Sequence, residues 1–134
     1  MTVLDPGIRE LAQGANFAAF TVNLASGRAM THIMWVDASD DAVLINTEVH
    51  RAKFAAIERD PRVTVTIWDR EGPQVYGEVR GRVVEIVRGP EARAHIDKLA
   101  QKYVGRDYLD SDIQSERAIL RIEPEVQHLR TPSS

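Results

Sequence analysis

Between the apolar run AVLINT and the alanine-rich stretch AKFAAIER, the chain carries Asn46-Thr47-Glu48-Val49-His50-Arg51-Ala52-Lys53. The change from β-branched alternation to alanine-filled helical spacing reads as a strand-to-helix junction. Thr47 is the expected N-cap, and His50, Arg51 and Lys53 fall in or near the first turn. Basic side chains there oppose the positive end of the helix dipole, typically by about 0.3 kcal/mol or more each. A bound anion reverses that conflict, because backbone N–H groups, a threonine hydroxyl, a guanidinium fork and an ammonium then converge on one phosphate-sized spot. The plainer alternative is that Arg51 and Lys53 are solvated surface charges, offset by Glu48.

Other chemistries find less support. His32, His50, His95 and His128 fall on different stretches, and no pair has the H-x-x-x-H spacing of two ligands on one helical turn, so no metal site is expected. His95 reads as an exposed helix position. His32, in mid-strand, reads as either a satisfied structural histidine or a cofactor contact. The 134 residues include no cysteine, which removes disulfides, thiolate ligands and cysteine nucleophiles and fits a reducing compartment. No G-x-S-x-G, G-x-G-x-x-G or phosphate-binding P-loop pattern occurs, and no acid is set beside a histidine as in a nucleophilic triad, so no catalytic residue is identifiable. Trp35, Trp68 and Tyr76 are strand aromatics, suited to packing or an interface before cofactor stacking. The net charge of −3 gives no basic excess for nucleic acid, and 43% hydrophobic beside 28% charged residues is ordinary for a globular protein. Asp5, Arg9 and Glu10 interrupt the apolar segment that a signal peptide needs, and no stretch reaches about 18 apolar residues. A cytoplasmic protein without a membrane span is the expectation, with residues 1–134 as a single domain.

The elements that hold the junction follow from periodicity. Residues 7–13 read as a short helix, 16–24 as an apolar strand ended by Ala25-Ser26-Gly27-Arg28, 30–36 as a second strand ended by the polar DASDD turn, and 42–47 as a third. Residues 50–59 form a helix stopped by Asp60-Pro61. Strict alternation over 62–69 marks the clearest strand, and 74–88 a long one in which Gly77 and Gly81 predict bulges or bends. Gly89-Pro90 opens a helix with Ala92, Ile96, Leu99, Ala100 and Tyr103 on one face and Gly105 as its stop. Residues 117–122 are the last strand, closed by Glu123-Pro124, with 126–130 extended beyond it. Six or so antiparallel strands with inserted helices predict a mainly β fold, a small barrel.

The segments GRAMTHIMWVD, VLINT, RAKFAAIERDPRVTVTIWD, YGEVRGRVVEI and IDKLAQKYVGRDY…ERAILRIEPEVQHL, in this order over residues 15–129, resemble the pyridoxamine 5'-phosphate oxidase-like superfamily. Within it they are similar to the flavin/deazaflavin oxidoreductases that use coenzyme F-420. The resemblance implies a six-stranded antiparallel split β-barrel and a homodimer with cofactor at the subunit interface. It implies hydride transfer from reduced 8-hydroxy-5-deazaflavin to a small conjugated acceptor such as an enone or quinone. It assigns the cofactor phosphate to Thr47, Arg51 and Lys53 with Asn46 and His50 beside them, the ring to His32, Ile33 and Met34, and a contact across the dimer to Tyr76. Arg28, Arg80 and Arg82 are candidates to line a basic groove for the oligoglutamate tail of F-420. The alternatives left open are an FMN-dependent enzyme of the same superfamily and a non-enzymatic flavin-, haem- or tetrapyrrole-binding protein.

Overall fold

The computed structural model describes residues 3–132, and seven strands and three helices make up its regular elements. In chain order these are α1 (Pro6–Gln13), β1 (Phe17–Asn23), β2 (Ala29–Met34), β3 (Asp37–Ala38), β4 (Val43–Glu48), α2 (Ala52–Arg59), β5 (Arg62–Asp69), β6 (Gly72–Arg88), α3 (Pro90–Val104) and β7 (Arg117–Arg130). A 3-10 turn at Asp110–Asp112 interrupts the segment between α3 and β7. The strands form one antiparallel sheet in the order β2-β1-β5-β6-β7-β4-β3, curled into a half-barrel.

Alternation along the strands fills the concave side. Ala18, Phe20 and Val22 of β1, Val63, Val65 and Ile67 of β5, Val79 of β6, and Ala118, Leu120 and Ile122 of β7 meet Ile8 and Leu11 of α1 and Phe54 and Ile57 of α2 in one buried cluster. Full burial of such a side chain contributes about 1.5–3 kcal/mol, so this inward face rather than local propensity holds the register. Helix α3 lies against β4, β6 and β7 and buries Ala92, Ile96, Leu99 and Ala100 outside that cluster. It stops at Gly105, whose φ of 75° is left-handed and whose N–H donates to the carbonyls of Ala100 and Gln101.

Three expectations are corrected. The sheet has seven strands, because Asp37 and Ala38, placed in a polar turn, pair with Leu44 and Val43 as a two-residue strand. The last strand does not close at Glu123-Pro124. It runs unbroken to Arg130, since Pro124 sits opposite Gly81 at a bulge in the β6–β7 ladder, where its missing N–H removes no regular bond. Thr47 is not an N-cap. β4 stays paired with β7 as far as Glu48 and Arg117, so α2 starts later, with Arg51 at its N-cap and no side chain capping it.

Candidate functional site

A cleft of about 650 Å³ opens where β2, the end of β4, the start of α2 and the start of β7 meet. Its apolar wall includes Met30, Ile33, Met34, Trp35 and Ile96, and its polar wall includes Asn46, Thr47, Glu48, Arg51, Lys53 and Arg117. The aromatic end is rigid: Trp35 stacks on Tyr103 with ring centroids 5.0 Å apart and planes 4° from parallel, and meets Tyr108 edge-on at 6.2 Å. The Tyr103 hydroxyl in turn accepts from the Val36 N–H at 3.1 Å and donates to the Asn16 carbonyl. This ties α3 to both ends of the β1–β2 hairpin.

The segment after α3 completes the rim. The Tyr108 N–H donates to Asp97 at 3.0 Å, Arg93 reaches the Tyr108 carbonyl at 3.2 Å, and the Arg117 guanidinium lies 5.3 Å over the Tyr108 ring. Glu48 accepts from the backbone N–H groups of Gln114 and Ser115, each at 2.7 Å. Burial alone would raise the Glu48 carboxyl, but those two bonds and the charges of Arg117 and His50 hold it below the usual glutamate range. Its other oxygen, Oε2, is buried, makes no hydrogen bond and lies 3.5 Å from the Arg117 guanidinium.

The cations are out of balance. Arg51, Lys53 and Arg117 face the cleft with Glu48 as the one carboxylate on its wall. Lys53 is 8% exposed, and among the described residues its ammonium makes no hydrogen bond or ion pair. Burial, then Arg51 and Arg117, push its pKa down, and burial likewise lowers that of Arg117. The slight burial of His32 and the charges of Lys53 and Arg51 push the His32 imidazole down as well. A buried cation that lacks a partner is costly, and an anion beside Lys53 relieves it, within reach of the charges of the exposed Arg51 and of Arg117, which already has Asn46 and Glu48 as partners.

Of the sequence candidates, His32, Ile33, Met34, Asn46, Thr47, Arg51 and Lys53 come together on this cleft. His50 sits just outside it, with Nδ1 2.6 Å from the Ser115 hydroxyl. Tyr76 lies elsewhere, on β6 in a shallow depression with Glu78, His128 and Arg130. None of Arg28, Arg80 and Arg82 lines the cleft; Arg80 pairs with Glu78 at 2.9 Å and Arg82 with Glu125 at 3.3 Å. His95, expected on the surface, is nearly buried between Asp37 and Asn46, each 3.0 Å from one of its ring nitrogens. Arg117 and Tyr108 escaped the sequence reading, since an arginine opening RAILRI looks like any polar strand end. Among the described residues no group of three or more His, Asp or Glu is placed to hold a metal ion, and no helix is long and apolar enough to cross a membrane.

The curled antiparallel half-barrel with its inserted helices is the split β-barrel of the pyridoxamine 5'-phosphate oxidase-like fold. The family model for Pyridoxamine 5'-phosphate oxidase matches residues 4–130, and the chain belongs to that family. No curated protein matches it. Among solved structures, one named "F420 Reductase" is 23% identical with a TM-score of 0.81, covering 93% of this chain and 98% of its own. Protein Rv2991 from Mycobacterium tuberculosis is 21% identical at a TM-score of 0.71, covering 96% and 86%. General Stress Protein 26 from Bacillus anthracis is 16% identical at 0.69, covering 92% and 91%. At these identities the likeness is one of fold.

Proposed function

We propose that the cleft holds coenzyme F-420 and that the protein is an F-420-dependent reductase of small conjugated organic acceptors. The observation that carries this is the unpartnered Lys53 ammonium, buried beside Arg51 and Arg117 on the wall of a cleft whose other side is apolar and aromatic. Such a wall pair suits a ligand with a phosphate at one end and a flat ring system at the other. When bound, the reduced deazaflavin supplies a hydride to an enone, quinone or similar acceptor. Arg51, Lys53 and Thr47 hold the phosphate, with Asn46 and His50 supporting them. The strand around His32, Ile33 and Met34 offers backbone groups and an apolar face along which the ring lies. The apolar side chains exclude water, and no side chain in the cleft is assigned as a proton donor. The solved "F420 Reductase" of like fold favours this coenzyme over FMN.

The same proposal includes a homodimer in a reducing cytoplasm. Tyr76 lies away from the cleft of its own chain, so a contact between it and the coenzyme requires a second copy. Titration with F-420 and, separately, FMN, followed by fluorescence, tests the assignment. Micromolar F-420 binding, weakened roughly tenfold or more by Lys53→Ala and by Arg51→Ala, is expected. Binding of FMN alone moves the protein to the flavin branch of its family, and binding of neither removes the enzymatic reading.

A further inference from the structure

We propose that Asp37 and His95, neither of which lines the cleft, act through Asn46 to set the position of Arg117 and thereby the affinity of the cleft for a phosphate group. The proposal rests on the phosphate reading of that cleft. The four side chains belong to β3, α3, β4 and β7 and form one continuous line of hydrogen bonds.

The direction of every bond in the line is forced. Asn46 is 4% exposed and its amide has two partners that can act in only one sense. The Ala92 carbonyl, 3.0 Å from Nδ2, can only accept, and the Arg117 Nε–H, 2.8 Å from Oδ1, can only donate. Nδ2 therefore faces α3, and its second hydrogen points at His95 Nδ1, 3.0 Å away. That nitrogen must accept, which leaves the ring proton on Nε2, directed at Asp37 Oδ2 at 3.0 Å. Asp37 is itself held by the Ala38 N–H at 2.9 Å and by Lys98 at 3.2 Å. Its carboxylate is thus the fixed acceptor that selects the histidine tautomer.

With the proton on Nδ1 instead, an N–H would face the Asn46 N–H. Relieving that contact means turning the Asn46 amide, which sets its NH2 against the Arg117 Nε–H. Arg117 is then released toward Glu48 Oε2, the buried oxygen that lacks a hydrogen bond, and closing that ion pair withdraws positive charge from the cleft. Asp37 and His95 are positioning residues in this scheme, and no reacting atom touches them.

The test compares wild type with Asp37→Asn, His95→Phe and His95→Gln. Coenzyme affinity is measured with F-420 and FMN, ring tautomer by 15N NMR of labelled histidine, and thermal midpoint separately. Wild-type His95 is expected as the Nε2–H tautomer. Asp37→Asn keeps the shape but is neutral, and its single amide oxygen cannot accept from the Ala38 N–H and from His95 and Lys98 together, so the Nε2–H tautomer loses its fixed acceptor and affinity falls about tenfold. His95→Phe falls similarly, while His95→Gln, with an acceptor for Asn46 and a donor for Asp37, retains affinity within about threefold. Unchanged affinity in Asp37→Asn and His95→Phe, while wild type binds, overturns the relay and spares the phosphate site. Equal loss in all three variants that tracks the thermal midpoint makes the network purely structural and also overturns it. Wild type that binds neither coenzyme overturns the phosphate reading and this proposal with it.

Discussion

Lys53 holds its charge where water is scarce and two other cations are near, and this sets function against stability in one side chain. Lys53→Met keeps the aliphatic stem and removes the unpaired ammonium, so it is expected to stabilise the unliganded protein by about 1 kcal/mol while weakening coenzyme binding roughly tenfold or more. Urea unfolding of both forms, with and without F-420, checks this; a destabilised variant would mean that the ammonium has a partner in solution. Asp37 shows the opposite case. Burial pushes its carboxyl up, but hydrogen bonds from His95 and Ala38 and the charge of Lys98 outweigh it and hold the pKa at about 2 instead of 3.8. A depressed carboxyl binds fewer protons folded than unfolded between those values. Its contribution of about 2 kcal/mol is therefore present above the unfolded pKa and lost as pH falls through the folded one. Asp37→Asn is expected to lose up to about one proton of acid-side slope in stability between pH 4 and pH 2. At this scale the segment from Asn46 to Lys53 was legible because its members are local. Asp37, His95 and Arg117 were not, because the bonds that link them into one line join residues 49 to 71 positions apart, and no spacing rule connects them.

The long strand β6 shows how little room its ladder leaves. A Cβ on Gly81 would lie 2.1 Å from the Glu123 carbonyl oxygen, a backbone atom in the bulge opposite, whereas one on Gly77 would lie 2.7 Å from Cγ1 of Ile8, a side chain on α1. Backbone yields less than a side chain. Gly81→Ala is expected to lower stability by about 3 kcal/mol and Gly77→Ala by about 1–2 kcal/mol, measured by urea midpoint. Equal losses would mean that the bulge relaxes as freely as helix α1. Gly81 was readable as a break in the strand, as were all three helices, Gly105 as a stop, and the strict alternation of β5, whereas Gly77, expected at a bulge or bend, pairs in regular register and instead makes room for Ile8. Strand β3 was not, since two residues carry no period, and their pairing is imposed by β4. The continuation of β7 through Pro124 was hidden for a related reason: a proline ends a strand by local rule and survives only where the partner strand supplies a bulge.

For the molecule as a whole, the proposed dimer makes a direct demand. Sedimentation equilibrium is expected to give twice the 15.0 kDa mass of the chain, and Tyr76→Ala to weaken coenzyme binding without changing that mass. A monomer that still binds F-420 would remove Tyr76 from the site and leave Lys53, Arg51 and Arg117 in it. Composition and strand count pointed to a small barrel, and the resemblance supplied its particular closure, but the cleft itself depends on how β7 bridges the two parts of the sheet. β7 pairs with β6 along one edge and with β4 along the other, and its first residue, Arg117, is bonded to Asn46 across 71 positions of chain. Contacts of such separation form slowly, because the intervening chain must be ordered before they reward it. The wall carrying Arg117 is therefore expected to assemble late, so that the proposed coenzyme would find no complete cleft to grip in a partly folded chain. Its stabilisation is then expected to slow unfolding and leave the refolding rate unchanged, which stopped-flow unfolding and refolding with and without F-420 checks.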